Sequence, residues 1–122
     1  MPSLNLREFR ALILPGGFIL SEVELAPGPL IDPIGRPALA RTTIQGREIR
    51  ITLDHAQLES EQSISIYHEA LEGLTVAFID PPVSVLDFCE ADFEREAKAA
   101  HERLGFASAK NVLMLLKNFG FR

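Results

Sequence analysis

The stretch EIRITLDHAQLESEQSISIYHEALEGLTVAF, Glu48 to Phe78, decides the fold class. Over Glu48–Leu53 the residues alternate, with Ile49, Ile51 and Leu53 pointing one way and Arg50 and Thr52 the other, which is the period of a strand. Past Asp54 the period changes. From about Gln57 to Phe78 apolar residues recur at Leu58, Ile66, Leu71, Leu74 and Phe78, with Ile64, Tyr67 and Ala70 in support, and this spacing predicts a helix. Asp80-Pro81-Pro82 stops it. Leu58, Ile66, Leu71 and Leu74 are expected in the core. Glu61, Ser65, His68 and Glu72, spaced by four, three and four, form a polar line expected to face a groove.

Upstream the character is β. Phe9 to Leu14 is a short apolar run ended by the turn Pro15-Gly16-Gly17. Phe18 to Leu25 alternates and reads as a strand. Residues 26–37, APGPLIDPIGRP, read as a loop without regular structure, because each proline removes a backbone donor. Leu39–Ile44 and Glu48–Leu53 read as a hairpin about Gln45-Gly46-Arg47. Downstream, a helix is predicted from about Glu90 to Leu104, with Phe93, Ala97, Ala100 and Leu104 inward and Gly105 as C-cap. Another starts at Ser108, buries Val112, Leu115, Leu116 and Phe119, and stops at Gly120. The chain of 122 residues suits a single domain: 1–53 mainly strands and a proline-rich loop, 54–122 mainly helices. Strands before helices predict an α+β fold, with a mostly antiparallel sheet of three to four strands followed by three helices.

Charge is unevenly spread. Residues 1–53 hold five acids and six bases, residues 54–102 twelve acids and two bases, and residues 103–122 four bases and no acid. His55, His68 and His101 all fall in the acidic middle. Such a surface repels phosphate backbones, so nucleic acid is not an expected partner. The patch Ala11–Leu14 is too short for a signal core or a membrane span. The lone Cys89 has no partner for an internal disulfide, and a cytoplasmic location is expected. No phosphate loop or nucleophile elbow is present.

Carboxylates crowded with imidazoles are the raw material of a divalent metal site; the plainer reading is two solvated, glutamate-rich helices. His68 and Glu72 stand four apart on a helix, within about 6 Å of each other, and both are zinc-ligand types. Glu69 projects from a neighbouring part of the surface, where it could take a proton from a metal-bound water. The plainer reading of His68 is a half-buried helix residue bonded to a neighbour. For a further ligand the order of preference is His101, then Glu94, then Glu96; His101 near a helix C-terminus also suits a structural role.

A strand, a short connection and a helix carrying His-Glu after an apolar run resemble the core of small zincin-type metallopeptidases. The resemblance spans about Arg47 to Leu104. It implies Glu48–Leu53 as the edge strand beside the active-site helix, His68 as first ligand of a Zn2+ ion, Glu69 as catalytic base, and a third ligand from the next helix. This sequence departs from the family pattern, because Glu72 stands where a second histidine belongs, giving H-E-x-x-E. A carboxylate there can bind metal but leaves less positive charge to acidify water, so the resemblance covers both a hydrolase and an inactive relative. The other reading is a non-enzymatic interaction protein with a peptide or protein partner. The apolar tail Leu113–Leu116, with Phe119 and Phe121, makes a homodimer through the last helix the expected assembly if that helix is exposed.

Overall fold

The computed structural model describes residues 3–122. It has the expected α+β architecture: a four-stranded sheet first, three α-helices after it. The strands are β1 (Leu12–Ile13), β2 (Ile19–Leu25), β3 (Ala40–Gln45) and β4 (Glu48–Leu53), in the order β1-β2-β4-β3. The helices are α1 (Glu59–Ala77), α2 (Glu90–Leu104) and α3 (Ala109–Asn118). Phe9, at the start of the first apolar run, belongs to a 3-10 turn, Leu6–Phe9, and only Leu12 and Ile13 of that run pair as a strand.

Two of the three strand pairings are antiparallel; the central one, β2 with β4, is parallel. The cause is the proline-rich connection, which carries the chain from the end of β2 to the far edge, where it enters β3 before returning as β4. That connection is also less irregular than its composition suggests. Asp32 Oδ1 accepts from the Ile34 and Arg36 N–H groups at 3.0 and 2.8 Å, and Ile31 bridges Pro37. The return is a two-residue turn, Gly46-Arg47, between the paired Gln45 and Glu48. Gly46 takes φ +61°, and a positive φ at the first central position alone is the type II′ pattern that glycine favours.

Glu48–Leu53 is therefore an inner strand, not the edge strand that the family resemblance implied. Burial explains the placement. Ile49, Ile51 and Leu53 are fully buried and Thr52 nearly so, whereas β3 is exposed at Arg41, Thr43, Ile44 and Gln45 and can tolerate an edge. In β2 strict alternation fails. Leu20 and Val23, three apart, are the buried pair, because a bulge at Ser21 shifts the register against β4 between Leu20 and Glu22. The Ser21 hydroxyl donates to the Ile49 carbonyl at 3.2 Å, tying down the extra residue.

The helices cover one face of the sheet. Ile66, Tyr67, Leu71 and Leu74 of α1 meet Leu20, Ile49, Ile51 and Leu53 in one core, closed by Phe93, Ala97, Val112, Leu115 and Leu116. Leu58 is a correction: it precedes α1 as the N-cap and is 69% exposed, with its N–H donating to Glu61 Oε1 at 2.9 Å. The apolar tail is consumed by this same core. Val112, Leu115, Leu116 and Phe121 are buried, Leu113 and Phe119 are half-buried, and Met114 alone of α3's apolar residues is exposed. Among the described residues no helix is long and apolar enough to cross a membrane.

Candidate metal centre

The site forms where α1 and α2 run antiparallel. Glu72 lies nearest Glu90, His68 meets Glu94, and Ser63 meets His101, so the two polar lines close on each other along the seam. This antiparallel match decides which sequence candidates come together. Glu94 is beside His68: the imidazole Nδ1–H donates to Glu94 Oε1 at 2.9 Å. His101 is not. It lies seven residues, about 10 Å, further along α2, where its Nδ1 pairs with Ser63 Oγ at 2.9 Å. Glu96 turns outward to Arg95, with Nε 3.4 Å from Oε2. His55 is exposed beside Asp54, and Cys89 caps α2 with its thiol turned to Asp92.

Around the other nitrogen, His68 Nε2, three carboxylates converge. Glu90 Oε1 lies at 3.2 Å, Glu72 Oε1 at 3.6 Å and Glu69 Oε2 at 3.8 Å. One ligand atom from each of His68, Glu69 and Glu72 can be chosen so that all lie within 4.8 Å of one another. Phe93 backs the imidazole in a stacked arrangement, with ring centres 6.2 Å apart. The open side is a groove of about 400 Å3 lined by Leu39, Ala40, Ser65, His68, Glu69, Glu90, Ala91 and Glu94. Of the predicted polar line, Ser65, His68 and Glu72 face this seam and groove while Glu61 is exposed.

Two residues of this arrangement escaped the sequence reading. Glu90 is the first residue of α2, four before Glu94, and that pair mirrors His68 and Glu72 across the seam; the spacing was available as a signal. Thr42 was not legible, because it arrives from β3. Its hydroxyl donates to Glu69 Oε1 at 2.9 Å. The contact depends on Gly73, one turn beyond Glu69. A Cβ at Gly73 would come within 3.0 Å of Thr42 Cγ2, so the missing side chain lets α1 settle onto β3.

The electrostatics follow from the crowding. Burial alone would lower the His68 pKa, but its partnership with Glu72 and Glu94 and the charges of Glu69 and Glu90 carry it from 6.5 up to about 10. Burial pushes the Glu69 carboxyl up, against the Thr42 hydrogen bond and the His68 charge. Glu72 and Glu90 share one corner and split: the bond to His68 holds Glu72 down, while burial and the neighbouring Glu72 push Glu90 up.

Comparison with protein-family models, curated proteins and solved structures finds no match for this chain.

Proposed function

We propose that this protein binds a divalent metal ion at the α1–α2 seam, through His68 Nε2 with Glu72 and Glu90, in a zincin-like setting suited to hydrolysis. The observation that supports it is the spacing of the candidate ligand atoms. Four atoms about 2.1 Å from a zinc ion lie about 3.4 Å apart at the corners of a tetrahedron. The Glu90 and Glu72 oxygens stand 3.2 and 3.6 Å from His68 Nε2, in that range. Glu94 on Nδ1 adds the carboxylate–histidine pairing that orients metal-bound imidazoles and leaves Nε2 free to ligate.

When bound, such an ion would supply an acidified water. The chain's own contribution is Glu69, whose carboxyl is pushed up by burial, fixed by Thr42, and held beside the ligand set as a proton acceptor. Peptide hydrolysis is the reaction the zincin resemblance implies. Glu72 and Glu90 in place of a second histidine make the donor set rich in oxygen, which also suits Mn2+ and Fe2+.

A second reading rests on the same atoms. With carboxylates on both ring nitrogens, a protonated His68 is fully satisfied without an ion, and the cluster then serves as a pin between α1 and α2 in a non-enzymatic binding protein.

The deciding experiment is metal analysis of protein purified without chelator, followed by titration of the EDTA-stripped chain with Zn2+ and Mn2+. The metal reading expects about one ion per chain, and loss of at least tenfold in affinity in both His68→Ala and Glu90→Gln. Binding no tighter than millimolar, or binding indifferent to both substitutions, overturns it in favour of the pin.

A further inference from the structure

The two edges of the sheet are managed differently. β1 is two residues long and runs into Pro15, so it offers almost nothing to pair with. β3 is six residues long, with no proline, lysine or bulge to block it. Its pattern is fixed by the Asp54 N–H, which donates to the Leu39 carbonyl at 2.8 Å; residue 39 is thus hydrogen-bonded to its neighbour, and the parity passes to Arg41, Thr43 and Gln45. The N–H and C=O groups of Ala40, Thr42 and Ile44 therefore point away from β4, and they meet no hydrogen-bond partner among the described residues. Two exposed apolar side chains flank them, Leu39 at 62% and Ile44 at 37%.

We propose that β3 pairs with β3 of a second copy of this chain, antiparallel about a two-fold axis at Thr42, to make one continuous eight-stranded sheet. The argument is self-complementarity. Outward-facing residues must meet outward-facing residues, and the axis at Thr42 is the register that uses all three. Ala40 meets Ile44 of the second copy, Thr42 meets its own equivalent, and Ile44 meets Ala40. On these positions a small side chain faces a large one. On the opposite face Arg41 stands across from Thr43, so no charge is set directly against its like. Moving the axis to Arg41 would oppose the two arginines and leave Ile44 unpaired. The Thr42 register also sets Ile44 of the second copy beside Ala40, a wall of the groove next to His68, and narrows that groove from its open side. The assembly does not depend on whether the seam holds an ion.

The test is light scattering on the full chain at tens of micromolar, where twice the 13.5 kDa chain mass is expected. Ile44→Pro removes an outward N–H without taking a donor from the β3–β4 ladder, and it should weaken association at least tenfold. Register is read by oxidative cross-linking in a Cys89→Ser background. Arg41→Cys with Thr43→Cys should give a covalent dimer, whereas Arg41→Cys alone should not. The cross-link carries the test should the proline variant fail to fold. A monomer at that concentration, or a dimer that neither cross-links at 41 and 43 nor responds to Ile44→Pro, overturns the proposal.

Discussion

His68 is the residue on which most of the chemistry turns, and its titration has a definite sign. Its folded pKa, about 10, lies above the unfolded value of 6.5. The native state therefore holds the proton more tightly, so the stabilisation is fully present below about pH 6.5 and is lost as pH rises towards 10. At about 1.4 kcal/mol per unit, the effect in this crowded, half-buried cluster is on the order of a few kcal/mol. Urea denaturation of the metal-free chain at pH 7 and pH 9.5 should show the wild type losing more stability than His68→Gln, whose profile should be flatter. Thr42→Val tests the neighbouring acid. It removes a donor that holds the Glu69 carboxyl down, so the Glu69 pKa followed by NMR should rise further, and stability at neutral pH should fall by about 1–3 kcal/mol. Much of this site was legible from spacing within one helix, which brings His68, Glu69 and Glu72 together whatever the rest of the chain does. Thr42 and the choice of Glu94 over His101 depend on where other elements stop along α1, and local periodicity is silent on that.

At the scale of elements, β4 and α2 have the bounds that the sequence predicts, because each is a clean run of one period ended by a turn residue or a helix-capping glycine. β2 lies where the sequence places a strand, but its alternation breaks for an identifiable reason: one bulged residue, Ser21, changes which side chains reach the core. Deleting Ser21 removes the extra residue and leaves Leu20, Glu22 and Val23 in strict alternation against Ile49, Arg50 and Ile51, so the strand should keep both its register with β4 and its buried pair. The cost should be that of the two hydrogen bonds Ser21 makes, its hydroxyl to the Ile49 carbonyl and its carbonyl from the Ala11 N–H, about 1–3 kcal/mol in circular dichroism melts. A loss well beyond that would show that the bulge does more than absorb a residue. The contact of α1 with β3 is equally specific. Gly73→Ala gains up to about 1 kcal/mol of helix propensity but presses on Thr42, whereas Gly73→Val adds bulk with no such gain. The valine variant should cost about 1–3 kcal/mol in denaturant titrations and lengthen the Thr42–Glu69 hydrogen bond in a determined structure.

For the molecule as a whole, the class was readable and the strand order was not. Period two before Asp54 and period 3.6 after it are local properties. The order β1-β2-β4-β3 is a choice among long-range pairings that the same strands could make otherwise. That order also bears on how the chain reaches its native state. β3, β4 and α1 are consecutive, and a two-residue turn closes the hairpin, so this portion can organise at little cost in chain entropy. β2 comes earlier in the chain, yet its slot beside β4 exists only once β4 has formed, and its partners lie far off: Leu20 must find Ile49. The parallel pair is then a late event, and the loop-closure entropy of residues 26–39 falls on the final climb. Stopped-flow measurements can read this. Ile51→Val in the hairpin should slow folding, while Val23→Ala in β2 should leave the folding rate nearly unchanged and hasten unfolding. β1 and β2, which leave the ribosome before β3 and β4, would then be the last to find their places, waiting on residues synthesised after them.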